Sequence, residues 1–524
     1  MKKYLLSTLV ALTATLSQAQ ETTASDALRY AMDDLTGTAR FRGMSGAFGA
    51  VGGDLSAINI NPAGSAIYNY NSASGSLSNI NTKNKSNYFG WNSSDSESTF
   101  DLNQLGIVLV FNNKREGDWK KVAFAINYDN TKNFGNSIYS RGTNPNNSIS
   151  NYFLNFANTA NNGGIVPINL LDNSSSISTG YAQLANLPNN AYPFLSGFQA
   201  QQAYLGYQAY LFDYDDGSTS GNAPVYVSNV PTDGDFYQTN SVVTTGYNGK
   251  LAANFSTSYL DRLYFGANLN VHFTDYKRNS SVYEMNNSTA TTRVEALQFD
   301  NQLYTYGAGF SFNLGVIAKV TNDFRLGLAY ESPTWYRLND ELSQRLIGYS
   351  MVNGAALDAD YIDPAVTNIY EAYTVQTPGK ITGSLAYVLA KKAVFSFDYA
   401  RKDYSNTKFR PENDKTFQKV NTSMSDNLTA ANEFRAGVEV KIKQFSLRGG
   451  YRFEDSPYKN GKTIGDLNGF STGFGFNFGG SRLDFAYAYS QREMDSPFIS
   501  SGMNDAARIK ATNNNITATY TIDF

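Results

Sequence analysis

The chain has 524 residues, among them 37 Tyr, 34 Phe and 43 Gly, with only 13 Pro and 17% charged side chains. The absence of Cys, a single His and a net charge of −3 exclude a disulfide framework, leave zinc and paired-His haem sites unsupported and give no basis for nucleic-acid binding. Mean hydropathy is −0.38, and no internal run approaches the ~20 apolar residues of a spanning helix, so the mature chain is either soluble or crosses a membrane as a barrel.

At the start, Lys2 and Lys3, an apolar run from Leu5 to Leu16 and Ser17-Gln18-Ala19 read as a secretory signal peptide over residues 1–19. A membrane anchor is the competing reading, but the run is too short. Ser25 to Leu35 has a good N-cap and predicts a short helix inside or beneath whatever encloses it. From Arg40 to Tyr68 the pattern changes: Gly43, Gly46, Gly49, Gly52, Gly53 and Gly64 alternate with Ala and Ser. That segment permits unusual backbone and close approach but carries too few side chains to make a core. It has to be packed by something around it. Asn61-Pro62-Ala63-Gly64 closes it with a rigid corner, because Pro62 fixes its own φ and keeps Asn61 out of the α region. Residues 20–68 are therefore expected to form a plug, and 69–524 its enclosure.

Alternation predicts about 14 strands, near 70–81, 101–112, 119–131, 236–259, 262–278, 302–319, 324–338, 370–389, 393–408, 431–442, 445–455, 466–478, 482–492 and 512–524. An even number suits a single-chain outer-membrane barrel. Tight connections at Leu260-Asp261, Thr321 to Asp323, Lys391-Lys392, Lys443-Gln444 and Gly479 to Ser481 alternate with long polar ones. With the last strand ending in the periplasm, every tight turn is expected there. Period 2 sorts the faces: Leu263, Phe265, Ala267, Leu269, Val271 and Phe273 to lipid, with Tyr264, Asn268, Asn270, His272 and Thr274 inside. The same split recurs at Leu483 to Ser490 and Phe434 to Ile442. Apolar out and polar in reverses the arrangement of a soluble protein. The longest connection, about 133–235, is predicted to hold helices, since Ile149, Tyr152, Phe153 and Phe156 fall at helical spacing and Phe194 to Phe212 is rich in aromatics and helix formers. Those aromatics would either present an external apolar groove or pack the loop onto the barrel rim. The alternating terminal strand ends in Phe524 and resembles the signal by which barrel-insertion machinery recognises its clients.

A glycine-rich N-terminal plug ending in Asn61-Pro62-Ala63 and running straight into such strands resembles the FadL/TodX-type family of outer-membrane transport proteins, which carry long-chain fatty acids or hydrocarbons. Gly309 to Gly315, Arg325 to Pro333, Thr377 to Tyr387 and Leu447 to Pro457 also look like strands of that family. The resemblance implies a location in the bacterial outer membrane among its lipids and a hydrophobic small-molecule cargo. It further implies passive movement past a plug that gates the barrel, with capture outside and exit sideways through the wall.

Nothing in the sequence looks catalytic, and no cofactor is expected. There is no nucleophile elbow, and the plug glycines lack the Lys of a phosphate-binding loop. His272 reads as a polar wall residue. Arg435, Glu439 and Lys441 on one strand lie beside Arg448, Arg452 and Glu454 on the next. Arg435, Lys441, Arg448 and Arg452 are candidates for holding a cargo carboxylate, against the reading in which the charges brace the wall by pairing with one another. A barrel of about 14 strands leaves a hole that a plug can close. The plug disfavours an open porin; a surface adhesin or structural barrel with partner-binding loops is the alternative to the transporter.

Overall fold

The computed structural model describes residues 22–114, 117–159, 164–172, 175–187, 192, 195–216 and 224–524. The expected signal peptide and Phe194 lie outside them. Among the described residues, 14 antiparallel strands form a closed barrel. They are β1 (Ser72–Tyr88), β2 (Trp91–Asn112), β3 (Trp119–Asn133), β4 (Phe236–Tyr259), β5 (Leu263–Asn286), β6 (Arg293–Lys319), β7 (Phe324–Glu331, resuming as Trp335–Val352), β8 (Lys380–Leu389, preceded by short pieces from Ala355 on), β9 (Ala393–Asp403), β10 (Ala430–Ile442), β11 (Phe445–Glu454), β12 (Ile464–Asn477), β13 (Ser481–Pro497) and β14 (Ala506–Asp523). Closure comes from β1, which pairs with β2 on one side and β14 on the other. No helix among the described residues is long and apolar enough to cross a membrane.

Each expected strand is present, and the faces fall as period 2 requires. Leu263, Phe265, Leu269 and Val271 are exposed, while Tyr264, Asn268, Asn270, His272 and Thr274 are buried. Aromatic side chains gather at two levels. Trp119 packs on Tyr259 and Phe445 on Phe476 near the periplasmic turns, and Tyr128 stacks on Phe273 one apolar band higher. Such girdles mark the two membrane interfaces. The periplasmic turns stay tight because consecutive residues take left-handed φ, at Leu260-Asp261 (53° and 51°) and Ala390-Lys391 (50° and 57°), which matches the twist of the hairpin.

Two expectations need correction. Several strands run well beyond the predicted limits on the outside, because above the lipid neither face has to be apolar and the alternation that reveals a strand disappears. The stretch from Ser78 to Thr99, nearly all Ser, Asn, Thr and charged, is regular hairpin. For the same reason one tight turn is external: β1 passes to β2 through Phe89 and Gly90, both at positive φ.

The long connection holds α3 (Ser150–Asn158), α4 (Ile168–Leu171), α5 (Ile177–Leu184) and α6 (Gly197–Gln208). Ile149, Tyr152 and Phe153 are buried in one core with Tyr204, Phe212, Phe299 and Leu346. These aromatics therefore seat the helices as a cap in the barrel mouth, where they cover apolar surface that would otherwise face water.

Candidate functional site

The lumen is occupied by residues 22–68. Helix α1 (Ala24–Ala31) lies highest, with Tyr30 packed on Tyr336 at 5.3 Å and on Phe134. It shares a core with Phe198 of the cap and with Phe417 and Met424 of α7 (Lys415–Asn427), the helix between β9 and β10. Below it, α2 (Ala39–Gly43) leads into the glycine-rich turns.

The Asn-Pro-Ala corner sits against the wall. Asn61 is extended (φ −140°, ψ 108°), and its side chain accepts from Ala63 N while donating to Gly49 O at 2.8 Å and Val316 O at 3.0 Å. From the wall, Asn254 donates to Pro62 O and Asn268 to Ile58 O. A Cβ on Gly315 would lie 2.0 Å from Asn61 Oδ1, and one on Gly266 2.3 Å from the Pro62 carbonyl carbon. The corner fits because those two wall positions carry no side chain. Among the segment's own glycines, Gly37, Gly46, Gly52 and Gly53 take positive φ. Gly49 instead allows close approach, its backbone N–H donating to Asp398 at 3.0 Å beside that of Phe48. Gly43 faces Arg448 and Gly473, and Gly64 lies against Gly52.

The charges around Glu439 and Glu433 are paired, whereas Arg325 donates to the Val51 carbonyl and Arg42 of the segment to Ser78, without a carboxylate partner among the described residues. Arg40 donates to both oxygens of Glu439 at 2.9 and 3.1 Å, Glu439 also receives Arg448 at 2.6 Å, and Arg448 reaches Asp484 at 2.8 Å, which Arg482 holds from the other side. Arg435 and Arg452 share Glu433, and Arg452 also meets Glu454. Thus three of the four cationic candidates, Arg435, Arg448 and Arg452, already have carboxylate partners. Lys441 stands apart, exposed at the periplasmic end of β10. His272 is buried in the wall between Ser311 Oγ (2.8 Å) and the Tyr336 hydroxyl (3.2 Å).

One feature was not legible residue by residue. The ladder between β2 and β3 stops at Gln104 and Asp129, level with the outer girdle, although both strands continue upward. The chain turns inward at Phe134-Gly135, and its continuation Asn136–Asn144 pairs with β4. There it lies across the inner face of the β1–β2 hairpin, joined to it by Ser86 to Ser140 and Asn84 to Asn136. Gly246, at φ 111°, receives Phe134 N and allows the bend. The wall therefore has a seam closed by side chains, where Asn130 and Asn133 donate to Asp101. Phe100, 71% exposed, and Leu102 border it on the lipid side. Within the lumen a cavity of about 70 Å³ reaches this seam, lined among others by Asp34, Arg42, Asp101, Asn103, Asn130 and Asn133.

Residues 233–524, more than half of the chain, match the family described as outer membrane protein transport protein (OMPP1/FadL/TodX). A FadL homologue of Pseudomonas aeruginosa has a similar fold, with 11% identity, a TM-score of 0.53 and coverage of 94% of this chain and 100% of that one. The toluene transporter TodX of Pseudomonas putida aligns over 94% of this chain and 100% of its own at 13% identity and a TM-score of 0.48. No curated protein sequence matches. The chain belongs to the OMPP1/FadL/TodX family of outer-membrane transport proteins for hydrophobic compounds.

Proposed function

We propose that the barrel carries long-chain fatty acids or similar amphipathic hydrocarbons inward by passive diffusion, with residues 20–68 as the gate. The observation that carries this reading is the seam between β2 and β3, the place where ladder hydrogen bonds are missing at the outer girdle and a lumenal cavity reaches the wall. A cargo arriving through the cap would move beside the gating segment and leave sideways into the apolar layer. At rest the cavity holds only about 70 Å³, far below the ~300 Å³ lower bound of ordinary ligand pockets, so passage requires the segment to shift. The driving force lies in the cargo: each buried CH₂ contributes about 0.8 kcal/mol, which a sugar or amino acid lacks. Arg435, Arg448 and Arg452 serve in this reading to brace the wall, and Asn61 to Gly64 to hold the hinge of the gate.

Equilibrium binding and whole-cell uptake of labelled oleate test the proposal. Binding should weaken as the acyl chain shortens, and uptake should fall when the protein is removed. A second reading, a surface adhesin or structural barrel, is favoured by the buried aromatics of the cap and the compensated lumenal charges. It would replace the first if binding has no chain-length dependence or uptake survives loss of the protein.

A further inference from the structure

Outside the barrel, β4 to β7 rise well above the outer girdle, and their outward face changes character there. Tyr304 and Tyr306, 5.0 Å apart, with Lys277 Nζ 4.9 Å above the Tyr304 ring, form the last amphipathic rows. Above them the register aligns Val243, Asn279, Gln302 and Ser343 in one row, and Ser241, Ser281, Asp300 and Arg345 in the next. The neighbouring edge is interrupted at this height. Asp360–Ile362 pairs with Leu346 to Gly348, and Thr367–Ile369 with Glu341 to Ser343. The chain between them leaves the sheet opposite Gln344 and Arg345 and carries Asp363 outward as a side wall. The result is a groove of about 420 Å³, within the ~300–1,000 Å³ of small-molecule sites.

The groove's chemistry is specific. Asp300 accepts from Ser281 and from Arg345, both at 2.6 Å, and from Gln298 at 3.0 Å, which fixes the carboxylate and holds the Arg345 guanidinium in the floor. The neighbouring amides of Asn279 and Gln302 have no hydrogen-bond partner within the described chain. Asp300 and Asp363 outnumber Arg345, leaving one negative charge, so the groove has no surplus of cations for a phosphate. Carboxylate, guanidinium and amide forks offer donors and acceptors side by side, as a sugar ring needs because each hydroxyl both gives and accepts a hydrogen bond. We infer that this groove binds a neutral saccharide, and that the saccharide belongs to a glycolipid of the outer leaflet. The second part follows from position. The groove faces outward, directly above the girdle that touches lipid, where a sugar anchored in the leaflet is held at high effective concentration.

The test uses the full-length barrel purified in detergent, with heat-modifiable gel migration as the check on folding. Three probes are compared by native mass spectrometry: lipid A bearing a neutral oligosaccharide free of carboxylate and phosphate, lipid A alone, and the same neutral oligosaccharide free in solution. The wild type should bind the first at least tenfold more tightly than either of the others. Asn279→Ala with Gln302→Ala should remove most of that advantage and leave lipid A binding unchanged. Asp363→Ala, outside the strand ladder, should do the same in part. Equal binding of the first probe and lipid A, or unaltered binding by both variants, would overturn the site. Free oligosaccharide binding as tightly as the glycolipid would overturn the leaflet source.

Discussion

The seam can be locked. The natural chain has no Cys, so a single engineered pair is free of competing partners. Thr99 on β2 and Gly135 at the start of the inward continuation stand on its two sides, and a Cβ built on Gly135 lies 3.7 Å from the Thr99 Cβ. That separation is close to the ~3.8 Å mean of disulfides. Gly135 does not need positive φ, the 2.5 Å approach of Thr99 Cγ2 disappears with the threonine, and the other close atom, Asn133 Oδ1 at 2.9 Å, is the end of a side chain that can turn aside. Thr99→Cys with Gly135→Cys should therefore oxidise without moving the backbone. Closing a loop of roughly 35 residues would also stabilise the folded state by about 4 kcal/mol, so a loss of activity could not be blamed on unfolding. Oxidised cells should take up labelled oleate no faster than cells lacking the protein, reductant should restore uptake, and each single Cys variant should behave as wild type. Full uptake through the oxidised protein, with the bridge verified by mass spectrometry, would refute exit between β2 and β3.

Other consequences are as direct. A small tag at Phe89-Gly90 should be labelled on intact cells and one at Lys391-Lys392 should not; the reverse would invert the topology. Gly315→Val should drive Asn61 off the wall and raise single-channel conductance, while Gly383→Val, where an added Cβ meets nothing within 4 Å, should leave conductance unchanged. Deleting residues 40–59 should keep a heat-resistant barrel and open it further; failure to insert would make the segment structural. Arg448→Met strips one partner from each of two buried carboxylates and should cost about 3 kcal/mol in a denaturant titration, with little effect on oleate binding if the arginine only braces the wall.

The spanning strands were legible because lipid on one face and a polar lumen on the other force alternation, as in Leu263 to Thr274. Where both faces meet water, as in the Ser and Asn of the β1–β2 hairpin, the signal disappears although the ladder continues. Helical spacing revealed α3, but spacing alone does not say which surface a helix covers; burial against Phe299 and Leu346 does. The charges at Arg435, Arg448 and Arg452 were legible as neighbours, since register follows from the strands. Arg435 and Arg452 meet Glu433 and Glu454 on the same two strands, but the network around Arg448 and Glu439 also takes in Asp484, two strands away, and Arg40 of the lumenal segment. The seam depends on a ladder that fails to form, and no local pattern marks that.

One sequence signal for the seat of the segment was present and is physical. Gly266, Gly315, Gly327, Gly437 and Gly450 all stand on lumen-facing positions of strands, where a glycine weakens the sheet and packs nothing. Each is a place where a Cβ would strike the segment: Gly327 at the Gly49 carbonyl, Gly437 at Met44 and Gly450 at the Met44-Ser45 peptide. Gly315, Gly327 and Gly450 lie inside stretches, Gly309 to Gly315, Arg325 to Pro333 and Leu447 to Pro457, that resemble strands of the family. Those stretches are therefore constrained from within the barrel by the surface the segment leans on, in addition to the demands of spanning a membrane. An inward-facing glycine in an otherwise regular spanning strand thus marks a place where this barrel meets its N-terminal segment, and the five glycines here fall in two patches, β5 to β7 and β10 to β11.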